Sequence, residues 1–213
     1  MNTNIIITAV IVLFLFYLGM EYYLKQRTKK NTMRLANLLL KQDYAEFDKL
    51  VKDPQIQKTV SPYQRNLLSF NSYLARNDGK NANLAFAQMN QLNLMSQQKI
   101  NFYGSAQNYY IEQKDQKRAA ICHDKLETVR KYDEEKEYFN TIYQVMMKDD
   151  VSYQETIEGR LNHEPDHKKL PDLYLLIHIY QIKEDHERAK ECQELADKLL
   201  KKMQTEQSEN KGF

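Results

Sequence analysis

The sequence predicts an all-α protein, a run of helix pairs preceded by one long apolar helix. Three observations carry that prediction. The 213-residue chain holds only five Gly and four Pro, too few to punctuate many short strands. Apolar residues recur at helical spacing: Leu173, Leu176, Ile177 and Tyr180 form one i, i+3, i+4, i+7 stripe, and Ala189, Cys192, Ala196 and Leu199 form the next. A ten-residue frame also repeats, as "YLARNDGKNA" (73–82), "YIEQKDQKRA" (110–119) and "YQIKEDHERA" (180–189). In each, an Asp follows the Tyr by five and an Ala follows that Asp by four.

The N-terminal element comes first. Residues 5–20, "IIITAVIVLFLFYLGM", carry no charge. With Tyr22, Tyr23 and Leu24 the run reaches about 20 residues, roughly 30 Å of helix, the thickness of a bilayer core. Tyr17, Tyr22 and Tyr23 suit the lipid–water boundary. A cleaved signal peptide fits poorly, because "MNTN" has no positive side chain and "GMEYYLKQR" has no small-x-small site. No Lys or Arg precedes the run, whereas Lys25, Arg27, Lys29 and Lys30 follow it at once. The expectation is a single-pass anchor over 1–24 with its N-terminus outside, and residues 25–213 in the cytoplasm, opening on a basic linker over 25–30. Those four cations can also attract anionic headgroups. Two cysteines, Cys122 and Cys192, make no disulfide framework and fit a reducing compartment. A net charge of +2 is too balanced for a nucleic-acid surface. Abundant Asn, Lys, Gln and Tyr with no Trp point to a low-GC bacterial source.

The repeated domain is expected over residues 31–202, with a frayed polar tail over 203–213. Residues 31–53 read as a degenerate opening pair: Leu35, Leu38 and Leu39 stripe its first helix, Phe47 and Leu50 its second, and Pro54 ends it. Four copies of the frame follow. Their tyrosines are Tyr73, Tyr110, Tyr143 and Tyr180, spaced 37, 33 and 37. Nine residues after each stands a small residue: Ala82, Ala119, Ser152 and Ala189. Asp78, Asp115 and Asp185 hold the position five after the Tyr, and Lys148 takes it in the third copy. Ser61 and Pro62 open the first copy as a cap and first helical residue, and Gly79 in "RNDGK" is free to turn left-handed. A ring on one helix and a small side chain on the next suit a tight antiparallel pair, and neighbouring pairs must stack to bury their remaining apolar faces.

This pattern resembles the tetratricopeptide repeat family. In the fourth copy Tyr180 falls on the family's late aromatic, Leu176 on the preceding Leu position, and Ala189 and Ala196 on the small positions of the second helix. Phe86 matches the large residue of that helix in the first copy. The chain departs from the family where its early small residue is replaced by Phe70, Gln107 and Ile177, where Gln193 replaces the large residue, and where no Pro follows Leu199. The resemblance implies a solenoid of four to five helix pairs. It also implies a concave groove, lined by the first helices, that holds an extended peptide. Groove positions carried over are Asn71, Asn108, Thr141 and His178, two before each Tyr, and Leu74, Ile111, Gln144 and Gln181, one after. Such a row suits a mixed polar and apolar ligand. The family's carboxylate clamp has no counterpart at Leu67, Leu68, Gly104 and Ser105.

Chemical motifs are weak. "HEPDH" (163–167) fits H-E-x-x-H formally, but that zinc site needs both histidines on one helix, and Pro165 sits between them. Cys122 and His123 are adjacent and point in different directions, so they form no nucleophile–base pair. "YDEEKEY" (132–138) reads as a solvated helix start. The expectation is therefore a membrane-tethered adaptor for a protein or peptide, without catalytic residues, metal or cofactor and without nucleic acid. The alternatives are a self-associating structural protein and, further off, a zinc-dependent hydrolase.

Overall fold

A computed structural model describes the backbone of residues 3–163 and 165–209, and the side chains of residues 20–205 other than 164 and 167. Among the described residues it is all-helical, with eleven α-helices, one 3-10 turn and no strand. The helices are α1 (Thr3–Leu40), α2 (Tyr44–Leu50), α3 (Pro54–Thr59), α4 (Pro62–Ala75), α5 (Gly79–Asn90), α6 (Ser96–Glu112), α7 (Gln116–Glu127), α8 (Asp133–Lys148), α9 (Gln154–His163), α10 (Asp166–Ile182) and α11 (His186–Glu209). The 3-10 turn, Val151–Tyr153, leads into α9. The chain divides into two compact units, Met1–Leu94 and Met95–Phe213.

The recurring frame is a turn. Tyr73 and Tyr110 lie in the last turns of α4 and α6, and Tyr180 in that of α10. Asp78, Asp115 and Asp185 each donate a backbone N–H to the carbonyl of the Tyr five residues earlier, at 2.9, 2.8 and 2.9 Å. The residue before each Asp turns left-handed: Asn77 at φ 55°, Lys114 at 54° and Glu184 at 59°. Its N–H bonds back to Leu74, Ile111 or Gln181. This pair of bonds is a Schellman closure, which satisfies carbonyls orphaned at the helix end. The Asp then caps the following helix, its carboxylate accepting from Asn81, Arg118 or Arg188 N–H. One Asp thus ends one helix and starts the next. Gln42 and Asp43 repeat the device between α1 and α2, with Asp43 N–H bonded to Leu38 O at 2.9 Å. Gly79 is not the left-handed residue, contrary to the sequence expectation: Asn77 takes that role, and Gly79 is already the first residue of α5.

In the first unit, α1 lies along α2, α3 and α4, and α4 pairs with α5. Leu35, Phe47, Leu50, Ile56 and Val60 form one buried cluster with Leu38, Leu39, Val51 and Leu68 against it. Thr28 donates to Thr59 O at 2.9 Å and Asn31 to Thr59 Oγ1 at 2.7 Å, pinning α1 to α3. Arg76 closes the unit with a two-pronged pair to Asp48 at 2.8 and 3.1 Å. In the second unit the pairs are α6 with α7 and α10 with α11, and α9 returns against α10. Between these pairs α8 packs against both first helices, α6 and α10.

The membrane expectation is corrected here. Among the described residues no helix is long and apolar enough to cross a membrane. The apolar run falls in α1, and its side chains up to residue 19 lie outside the described ones. From Met20 on, α1 carries Glu21, Lys25, Arg27, Lys29, Lys30 and Arg34, which a hydrocarbon layer does not accept. The single-pass anchor over 1–24, and the cell-membrane localisation with a cytoplasmic domain built on it, therefore do not stand. The helix also runs unbroken through residues 24 and 30. At the other end α11 continues to Glu209, so the polar segment from Met203 starts as helix.

Candidate protein-interaction site

The ring-and-small-residue frame packs as a unit in three pairs and slips in one. Ala82 and Ala119 are fully buried, and Ala189 and Tyr110 nearly so. Tyr180 is buried, while Tyr73 is half-buried. A cation covers each ring: Arg76 lies 4.8 Å from the Tyr73 centroid, and Arg118 and Arg188 lie 5.7 Å from those of Tyr110 and Tyr180. Burial pushes the Tyr110 hydroxyl well above its ordinary pKa, and it raises Tyr103 to about 12. Tyr180 is raised by burial and then by its hydrogen bond to Glu158. That hydrogen bond, first among its causes, holds the Glu158 carboxyl below its ordinary value.

The third copy keeps Tyr143 buried, with Lys148 5.7 Å from its ring. Its turn closes later, through Asp149 at φ 53° and a bond from Asp150 N–H to Gln144 O at 3.1 Å. Asp150, not residue 148, caps the next element, accepting from Ser152 N–H at 2.9 Å. Ser152 is consequently exposed in the 3-10 turn rather than packed as the small partner of Tyr143. Counted from the capping Asp, Ile157 occupies the place held by Cys122 and Cys192 in their pairs, and it is fully buried.

The eight carried-over groove residues do not form one exposed row. Asn71 and Leu74 belong to the first unit, exposed and half-buried. In the second, Asn108 and Gln181 are exposed, Ile111 is buried, and Thr141 is fully buried with its hydroxyl donating to Glu137 O at 2.8 Å. Gln144 donates to Asn140 Oδ1 at 3.2 Å. His178 reaches from α10 to Asp149 at the end of α8, Nε2 to Oδ1 3.0 Å.

The second unit instead opens a cleft of about 960 Å³ among α8, α9 and α10. Tyr138, Phe139 and Pro171 supply its apolar lining, Arg160, Lys168 and Thr156 one polar side, and Asp133, Glu134, Glu135 and Glu137 the other. Each wall is held from behind. Asp133, Glu134 and Glu135 occupy the first turn of α8, where the helix dipole favours them. Arg160 is fixed by Asp172, Nε at 2.9 Å and Nη2 at 2.8 Å, and its guanidinium lies 5.6 Å from the Tyr138 ring centroid. Asp172 is only 1% exposed, so this two-pronged pair is shielded from water on one side. Phe139 is seated under Gly104 of α6: a Cβ there would meet its Cζ at 2.2 Å. Gln107, fully buried, donates to Phe139 O at 2.8 Å and ties α6 to the same turn.

Sequence reading missed this cleft. In sequence its acidic side reads as a solvated helix start, and nothing in spacing couples Arg160 to Asp172 across the α9–α10 turn.

Elsewhere, Cys122 is fully buried; burial, with Asp115 adding, pushes its thiol well up, opposite to what a nucleophile needs. Its neighbour His123 stacks on Tyr143 with ring centroids 4.2 Å apart. In "HEPDH", residues 164 and 167 lie outside the described side chains; Pro165 is extended at φ −68° and ψ 152°, and α9 ends at His163. No family model, no curated protein and no solved structure matches the chain.

Proposed function

We propose that the chain is a protein-interaction scaffold of the tetratricopeptide-like kind, which holds an extended segment of a partner protein. The observation that carries this reading is the cleft among α8, α9 and α10. It combines an aromatic floor with polar walls of both signs, the composition that recognises a peptide by one apolar anchor and a few fixed polar contacts. The Asp-capped hairpins support the likeness to stacked helix pairs, and the succession of α6, α8 and α10 supports stacking within the second unit. Tyr138 and Pro171 grip an apolar peptide side chain. Lys168 binds a peptide carbonyl or carboxylate, and Glu134 and Glu135 receive its N–H groups or a cation.

A display-selected peptide library gives the test. Peptides enriched on the wild-type chain are titrated by fluorescence anisotropy against Tyr138→Ser, Lys168→Glu and the distant exposed variant Lys190→Glu. Weakening by about tenfold or more in the first two, with Lys190→Glu unchanged, supports the reading. Equal affinity for all four chains, or selection of no peptide, contradicts it.

A further inference from the structure

The two units differ in charge: residues 1–94 hold 12 Lys and Arg against 6 Asp and Glu, whereas residues 95–213 hold 19 against 23. Much of the positive excess is concentrated on one helix. The inner face of α1, with Thr28, Asn31, Leu35 and Leu38, is committed to the first unit. The opposite face points away from that core. Tyr22, Tyr23, Met33 and Leu40 stand on it 66, 62, 54 and 82% exposed. Lys29, Lys30, Arg34 and Lys41 alternate with them at helical spacing, all exposed. None of these four cations forms an ion pair with a described residue. Glu21, the one acid on the described part of α1, is taken by Lys25 at 2.7 Å. A shallow depression of about 1000 Å³ runs along this face.

We infer that this outward face of α1 lies on the surface of an anionic lipid bilayer. The four cations meet headgroup phosphates, and the two tyrosines, Met33 and Leu40 settle among the glycerol and upper acyl carbons. Such side-by-side placement suits that boundary, because Lys and Arg stems can lie along apolar matter while their heads stay in water. No segment that crosses the bilayer is required, and the inference is independent of the peptide cleft. Phosphate charge alone also attracts nucleic acid, but a duplex surface leaves the four exposed apolar side chains without a partner.

Sedimentation of the full chain with vesicles tests this, using phosphatidylcholine alone and phosphatidylcholine mixed with phosphatidylglycerol. Each cation near an anionic surface is worth about a factor of five in partitioning. Wild type binds the anionic vesicles in preference, and Lys29→Gln/Lys30→Gln/Arg34→Gln/Lys41→Gln weakens that binding by more than about tenfold. A charge-matched control, Lys49→Gln/Lys52→Gln/Lys58→Gln/Lys80→Gln, changes the same exposed residue type elsewhere in the first unit and loses less than about threefold. Residues before 20 are identical in all three chains, and circular dichroism confirms helical folding of each. Equal binding to both vesicle types, or equal losses in the two variants, overturns the inference. So does capture of a DNA duplex that depends on the same four cations while vesicle binding does not.

Discussion

The α6–α7 pair and the α8-to-α9 segment begin alike and end differently: α7 folds back on α6, whereas α9 packs on α10. Both first helices carry a buried Tyr near the C-terminus, Tyr110 and Tyr143. In α6–α7 the Schellman turn closes at once, Asp115 caps α7, and Ala119 lets that helix approach. In α8–α9 the left-handed residue is Asp149, the cap is Asp150, and a 3-10 turn intervenes before a shorter second helix. The buried small residue is missing, and a half-buried ion pair between Arg160 and Asp172 takes its share of the packing. The difference teaches how one altered turn changes the packing that follows it. Regular turns fix close-packed pairs, and the slip of one turn leaves room for the cleft beside Tyr138 and Phe139.

The largest expected effect breaks the irregular pair. Asp172→Ala leaves Arg160 without its partner beside an apolar wall and costs about 3 kcal/mol, read as a fall in urea midpoint. Arg160→Met/Asp172→Leu restores most of that loss, which a site depending on general fragility does not. Next comes the seam between α6 and α8. Gly104→Ala drives a methyl into the Phe139 ring and costs about 1–3 kcal/mol, and adding Phe139→Leu recovers part of it. The regular turn is next. Asp115→Ala removes a helix cap and costs about 1 kcal/mol, whereas Ser152→Ala, at the equivalent small position of the slipped pair, changes stability by less than about 0.5 kcal/mol because the side chain is exposed.

The smallest effect is acid dependence at Glu158. Its carboxyl titrates below the ordinary value of 4.5 in the folded chain, chiefly through the Tyr180 hydrogen bond. A depressed folded pKa stabilises above the unfolded value, and that stabilisation is lost as pH falls through the folded one. Glu158→Gln therefore flattens the fall in urea midpoint between neutral pH and the acid side of 4.5. The side chain is 36% exposed, so solvent screening keeps the change below about 1 kcal/mol.

The turns after Tyr73, Tyr110 and Tyr180 were legible because period and turn chemistry are local. Tyr110, Asp115 and Ala119 announce a hairpin within ten residues, and Leu35, Leu38, Phe47 and Leu50 announce the opening pair. Three things were not legible. The left-handed positions fall on Asn77, Lys114 and Glu184; Lys114 and Glu184 carry no turn signal, and at Asn77, which does, the neighbouring Gly79 drew the expectation instead. The cap of the third copy sits at Asp150, two residues beyond the position that the frame marks at Lys148. The cleft depends on Arg160 meeting Asp172 and Phe139 sliding under Gly104, contacts that only the tertiary arrangement creates. Burial was not legible either: of the positions carried over by resemblance, Thr141 and Ile111 are buried in the folded chain.

The most direct measurement is site-specific photocrosslinking. A photoreactive benzoylphenylalanine replaces Thr156, exposed at the cleft rim on α9, in one chain and Lys190, exposed on α11, in another. Each is irradiated with the library-selected peptide. The account predicts a crosslinked product from position 156 and none from position 190. A product from position 190 alone, or equal yields at both, contradicts the assignment of the cleft as the peptide site.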